Sequence, residues 1–117
     1  MISDAVKYAI LADIKRHTFD DKISGNDLGK PFGIKSIGVR TEVINPLRCI
    51  PNPLEIASNI DGYWWATEPV HVVITIDYLS AKIHGIVNAI NGLKECLARL
   101  EAEKQGVFQE SLHGRFL

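Results

Sequence analysis

The sequence predicts a mainly α-helical chain with one small β-hairpin and a long C-terminal helix. Three observations predict it. Apolar residues recur near helical spacing through residues 3–17 and 24–44. The run NIDGYWWATEP (59–69) sets three consecutive aromatics between an Asp-Gly turn and a proline. From Val72 to Leu100, apolar residues repeat four, three, four and three apart without a break.

A chain of 117 residues fits one domain with one appended element. Apolar residues make up 46% and charged residues 23%, a globular composition that argues against wholesale disorder. A net charge of −1 gives no overall basic field. The charge is uneven, however: residues 22–48 carry Lys22, Lys30, Lys35, Arg40 and Arg48 against Asp27 and Glu42, a local positive excess. Cys49 and Cys96 lie far apart, without a CxxC pair or a His at metal-ligand spacing. They are expected to be reduced thiols, with Cys96 able to oxidise across a symmetric interface. No basic-then-apolar run opens the chain, and VHVVITIDYL (70–79) is too short and interrupted to span a bilayer. A soluble cytoplasmic protein without membrane association is the expectation.

The first element, ISDAVKYAILADIKRH, reads as an amphipathic helix. Ser3 caps it, Asp4 suits its positive end, and Lys15, Arg16 and His17 suit its negative end. Val6, Ala9, Ile10 and Ile14 form its apolar face. Next, Ser24 and Asp27 have the spacing of a capping box, and Leu28 and Phe32 fall four apart on one face of a short helix. Gly33 stops that helix. A second helix follows over about 35–45, with Ile34, Ile37 (or Gly38) and Val43/Ile44 near helical spacing and Lys35, Arg40 and Thr41 free to face outward. Pro46 is expected to end or kink it.

Beyond the proline-rich NPLRCIPNP, segments around 56–58 and 63–66 flank NIDG as a hairpin. Neighbouring strand residues point to opposite faces, so one of Trp64 and Trp65 is expected to pack across the preceding helices. Thr67 can cap the last helix, with Pro69 in its first turn. Val72, Ile76, Leu79, Ile83, Ile86, Ile90, Leu93, Leu97 and Leu100 mark its coiled-coil seam. A helix over 69–104 is about 54 Å long, more than the preceding domain can cover. Its simplest partner is the same helix of a second chain. Domains are therefore expected at 1–66 and 67–105, with a tail at 106–117 whose two Phe could dock on a protein partner.

The order helix, short strand, helix, glycine turn, helix, hairpin resembles a winged helix-turn-helix domain. DLGKPFGIKSIGVRTEV carries the resemblance: Leu28 and Phe32 packing inward, Gly33 turning, Ile34 and Val39 holding the second helix. IASNIDGYWWA is similar to the wing. With its long C-terminal helix, the layout resembles small winged-helix proteins of phages and mobile elements.

The resemblance implies that Lys35, Ser36, Arg40 and Thr41 face double-stranded DNA. Arg40 would pair with guanine or clamp a phosphate. Lys22, Lys30 and Arg48 would meet phosphates. The hairpin tip carries no positive charge, and Asp61 would repel phosphate, leaving Asn59 as its one candidate contact. A dimer tethered by the last helix binds as one ligand, which implies an inverted or closely spaced repeat as target.

Catalysis is not expected. His17, His71, His84 and His113 have no evident nucleophile or metal partner, and His71 and His84 fall at outward or flanking positions of the last helix. No cofactor or metal is expected, and no phosphate-binding glycine loop is present. The leading expectation is a homodimeric, sequence-specific DNA-binding protein that regulates transcription or marks an origin or packaging site. The alternative is a non-enzymatic interaction adaptor using the same scaffold.

Overall fold

The computed structural model describes residues 2–109, with side chains over 2–105. It is mainly helical, with a two-stranded antiparallel hairpin and a long C-terminal helix. Two compact units divide it, Met1–Leu79 and Ser80–Leu117.

Helix α1 spans Asp4–Lys15, and the Ser3 hydroxyl accepts the Val6 amide at 3.3 Å as its cap. Ile10 and Ile14, four apart, are fully buried. A tight turn follows in which Thr18 and Asp21 exchange backbone hydrogen bonds at 3.0 and 3.3 Å. Ile23 then exchanges two more with Tyr63, at 2.9 and 2.8 Å, laying a one-residue strand along the hairpin.

Helix α2 covers Gly25–Gly29, and Ser24 caps it by accepting the Asp27 amide at 3.1 Å. It tightens into a 3₁₀ turn over Lys30–Phe32, because Pro31 has no N–H to continue the α ladder. The tightening carries Phe32 out of line with Leu28. Leu28 is buried, whereas Phe32, expected inward, is 40% exposed. Gly33 ends the turn in the left-handed region at φ 66°.

Helix α3 is one helical stretch over 36–47 whose middle, Val39–Ile44, widens into a π turn. The Asn45 amide donates to the Arg40 carbonyl, five residues back. This widening explains why Pro46 does not end the helix. The ladder is already displaced where the proline ring and its missing donor arrive. Val39, Val43 and Ile44 face inward.

Strands β1 (Ile56–Asn59) and β2 (Gly62–Trp65) pair with Ile56 opposite Trp65 and Asn59 opposite Gly62. Their two-residue turn is Ile60-Asp61, and the Asn59 side-chain oxygen accepts the Asp61 amide at 2.9 Å. The alternation of strand side chains then sorts the tryptophans. Ile56 and Trp65 join the main core of Ile10, Ile14, Leu28, Val39, Val43 and Ile44, while Ala57, Trp64 and Ala66 form a second cluster with Ile74. Each fully buried apolar side chain contributes about 1.5–3 kcal/mol relative to exposure.

Helix α4 spans Pro69–Gln109. Its residues 69–79 belong to the first unit, where His71 and Thr75 are buried. The helix also continues through Gly106 to Gln109, into the stretch read from sequence as tail. The remainder of that stretch, 110–117, lies outside the described residues.

Candidate nucleic-acid interface

Helix α3 is set on the core by its inner face, and two glycines set how closely α2 approaches it. A Cβ on Gly29 would meet the Ile34 carbonyl, and one on Gly25 would meet the Ser36 hydroxyl. The contact is with backbone at Gly29 and with the Ser36 side chain at Gly25. With the inner face fixed, Lys35, Ile37 and Thr41 are exposed and Arg40 is half-buried. Lys30, on the preceding turn, is exposed as well.

The eight residues read from sequence as a DNA surface divide into two groups of four. The side chains of Lys30, Lys35 and Arg40 make no hydrogen bond or ion pair among the described residues. Thr41 Oγ1 donates to the Ile37 carbonyl at 2.8 Å, leaving its lone pairs to accept. These four keep side-chain donors or acceptors that the fold does not use, with Lys30, Lys35 and Thr41 exposed and Arg40 half-buried.

The other four are tied into the fold. Ser36 is half-buried with its hydroxyl against Gly25. The Lys22 ammonium donates to the Phe19 carbonyl at 2.6 Å and lies 4.0 Å from the Phe19 ring centre and 5.1 Å from that of Trp64. Asn59 closes the hairpin turn. Arg48, just past α3, donates through Nε to the Ile56 carbonyl at 3.0 Å and through Nη2 to the Ser58 hydroxyl at 2.7 Å. Burial pushes its guanidinium pKa down, and Tyr63 partly offsets that. The backbone amide of Ser58 is held in turn by Thr75 Oγ1 at 2.9 Å.

His71, read from sequence as outward or flanking, is only 7% exposed. Its ring stacks on Phe19 at 5.4 Å between centres and meets Trp64 edge-on at 5.8 Å. Its Nδ1 accepts the Thr67 amide at 3.1 Å, so His71 rather than Thr67 closes the start of α4. The outward or flanking position expected from sequence is thus overturned, because the face of α4 that carries His71 packs against Phe19 and Trp64.

Sequence reasoning missed two exposed apolar groups on the α2–α3 segment, Phe32 and Ile37, the latter 59% exposed. Pro31 was the available signal for the first. The acidic side chains of Asp27 and Glu42 are also exposed on this segment, and Glu42 Oε1 accepts the Ile2 amide at 3.4 Å.

Among the described residues no group of three or more His, Cys, Asp or Glu side chains could hold a metal ion. Cys49 and Cys96 are free thiols. By length and composition alone, residues Pro69–Gln105 are long and apolar enough to cross a membrane, which the short run 70–79 did not suggest. Comparisons with protein-family models, with curated proteins and with solved structures find no match.

Proposed function

We propose that this chain is a homodimeric, sequence-specific double-stranded DNA-binding protein of the winged helix-turn-helix type, acting as a transcriptional regulator or site-marking factor. One observation carries the reading. Helix α3, entered through a left-handed glycine turn, has an exposed Lys35 at its cap and carries a half-buried Arg40 and an exposed Thr41, while Val39, Val43 and Ile44 anchor it. Unpaired cations on an anchored helix suit a major groove, where Arg reads guanine and an exposed Ile37 can meet a thymine methyl. Pairing of Ile23 with Tyr63 beside the hairpin supports the winged layout. The hairpin tip, which carries Asp61 and no cation, is assigned no phosphate contact. Along α4, charges at Asp77, Lys82, Lys94, Glu95 and Arg99 favour a helix-to-helix seam over a bilayer span.

The test is selection of bound fragments from a random duplex pool, with the mass of the complex read by light scattering. A repeat-containing site holding two chains is the expected result. Replacing Lys35 and Arg40 together by Ala should weaken binding at least tenfold and shallow the salt slope by about 0.9 for each phosphate no longer neutralised. A folded dimer that recovers no site, or one insensitive to that double change, ends the reading.

The exposure of Phe32 and Ile37 favours a second reading, an adaptor that binds a protein through the same segment. Under it, the Lys35→Ala/Arg40→Ala variant keeps its partner and Ile37→Asp loses it.

A further inference from the structure

The second unit presents a stripe of Ile83, Ile86, Ile90, Leu93, Leu97 and Leu100, each between 46% and 68% exposed. We infer that this stripe is covered by the same helix of a second copy running antiparallel, with Ile83 against Leu100, Ile86 against Leu97 and Ile90 against Leu93. The inference deepens the dimer part of the reading above and is independent of whether the dimer binds DNA.

Charge selects the orientation. In heptad terms Ile83, Ile90 and Leu97 occupy one core position and Ile86, Leu93 and Leu100 the other. The flanking positions on one side are Lys82, Ala89, Cys96 and Glu103, and on the other Ser80, Val87, Lys94 and Glu101. Parallel helices join one flank to the opposite flank of the partner. That sets Lys82 beside Val87, Ala89 beside Lys94 and Cys96 beside Glu101, with no pair of opposite charges. Antiparallel helices join each flank to its own kind. In the stated register Lys82 then faces Glu103 at both ends of the stripe, and the small Ala89 faces Cys96.

Neighbouring antiparallel registers lose this match. A slip of one heptad in one direction sets Lys82 against Cys96, and a slip in the other sets Lys94 against Lys94. Like-charge pairs of the second kind disfavour a competing register. Lys82 and Glu103 are both exposed in the unit.

The experiment uses the full chain in a Cys49→Ser/Cys96→Ser background. Ile83→Cys and Leu100→Cys are added in separate chains, incubated alone or mixed with oxidised glutathione, and read on a non-reducing gel. The expected result is a linked dimer in the mixture and no linked dimer from either chain alone. Self-linkage of Ile83→Cys overturns the antiparallel inference while leaving the dimer reading intact. A monomeric mass for the unmodified chain in light scattering overturns both. Charge exchange gives an independent readout if the cysteine variants fold poorly. Lys82→Glu and Glu103→Lys should each weaken dimerisation roughly tenfold, and the two together in one chain should restore it. Failure of the double change to recover affinity overturns the inference.

Discussion

Arg48 Nη2 donates to the Ser58 hydroxyl at 2.7 Å while its Nε donates to the Ile56 carbonyl at 3.0 Å, so one guanidinium ties the end of α3 to two residues of β1. A cation that the winged-helix resemblance assigned to phosphate thereby makes two bonds within the fold. Its two bonds sit in partly buried surroundings, where charge-assisted bonds contribute more than neutral ones.

Arg48→Ala should therefore cost about 2–3 kcal/mol of stability, from the two missing bonds and an orphaned Ser58 hydroxyl. Urea unfolding measures it. Under the proposed DNA-binding function, the folded fraction should retain the DNA affinity that Lys35→Ala/Arg40→Ala loses, and a parallel loss of affinity would place Arg48 among the proposed contacts.

Thr75 makes the reciprocal connection from α4. Its hydroxyl donates to the His71 carbonyl and accepts the Ser58 amide, both at 2.9 Å, in a buried site. Thr75→Val keeps the shape and strands a buried N–H, which costs about 1–3 kcal/mol. Thr75→Ser keeps the hydroxyl and should cost less than half as much. Thermal unfolding of the pair separates loss of the bond from loss of a methyl group.

The glycines between α2 and α3 rank by what surrounds them. Gly33 needs its left-handed φ of 66° but has open space, so Gly33→Ala should cost about 1–2 kcal/mol. Gly29 has ordinary helical angles, yet a Cβ there meets the Ile34 carbonyl, a backbone atom that cannot swing aside. Gly29→Ala should cost more than about 3 kcal/mol and shift α3 as well. Denaturation midpoints of the two variants test the order, and equal values would contradict it.

That contrast also shows what the sequence carried. Caps at Ser3 and Ser24, the stop at Gly33 and the Asn59–Gly62 turn were legible because each depends on residues within a few positions. Alternation sorted Trp64 from Trp65, although both faces proved to be occupied. The π turn in Val39–Ile44 had no local signature, and it let the helix pass Pro46. Burial of His71, internal use of Lys22 and Arg48, and the close approach at Gly29 are tertiary facts. They arise where distant segments meet, and periodicity within one segment does not encode them.

The seam of α4 offers a prediction in which monomer and dimer effects part. Leu93 is 68% exposed and Ile90 46% exposed within the unit, so neither contributes much packing inside one chain. Changing Leu93 to Asn should leave the urea midpoint of the first unit nearly unchanged while lowering the association constant by a hundredfold or more. Each dimer loses two core leucines, each worth about 1.5–3 kcal/mol of burial. Changing Asn88, on the side of the heptad opposite the seam, to Ala should leave mass and midpoint alike. Sedimentation equilibrium over a range of concentrations reads both. If Leu93→Asn leaves association unchanged, the stripe serves some occupant other than a second copy of this helix.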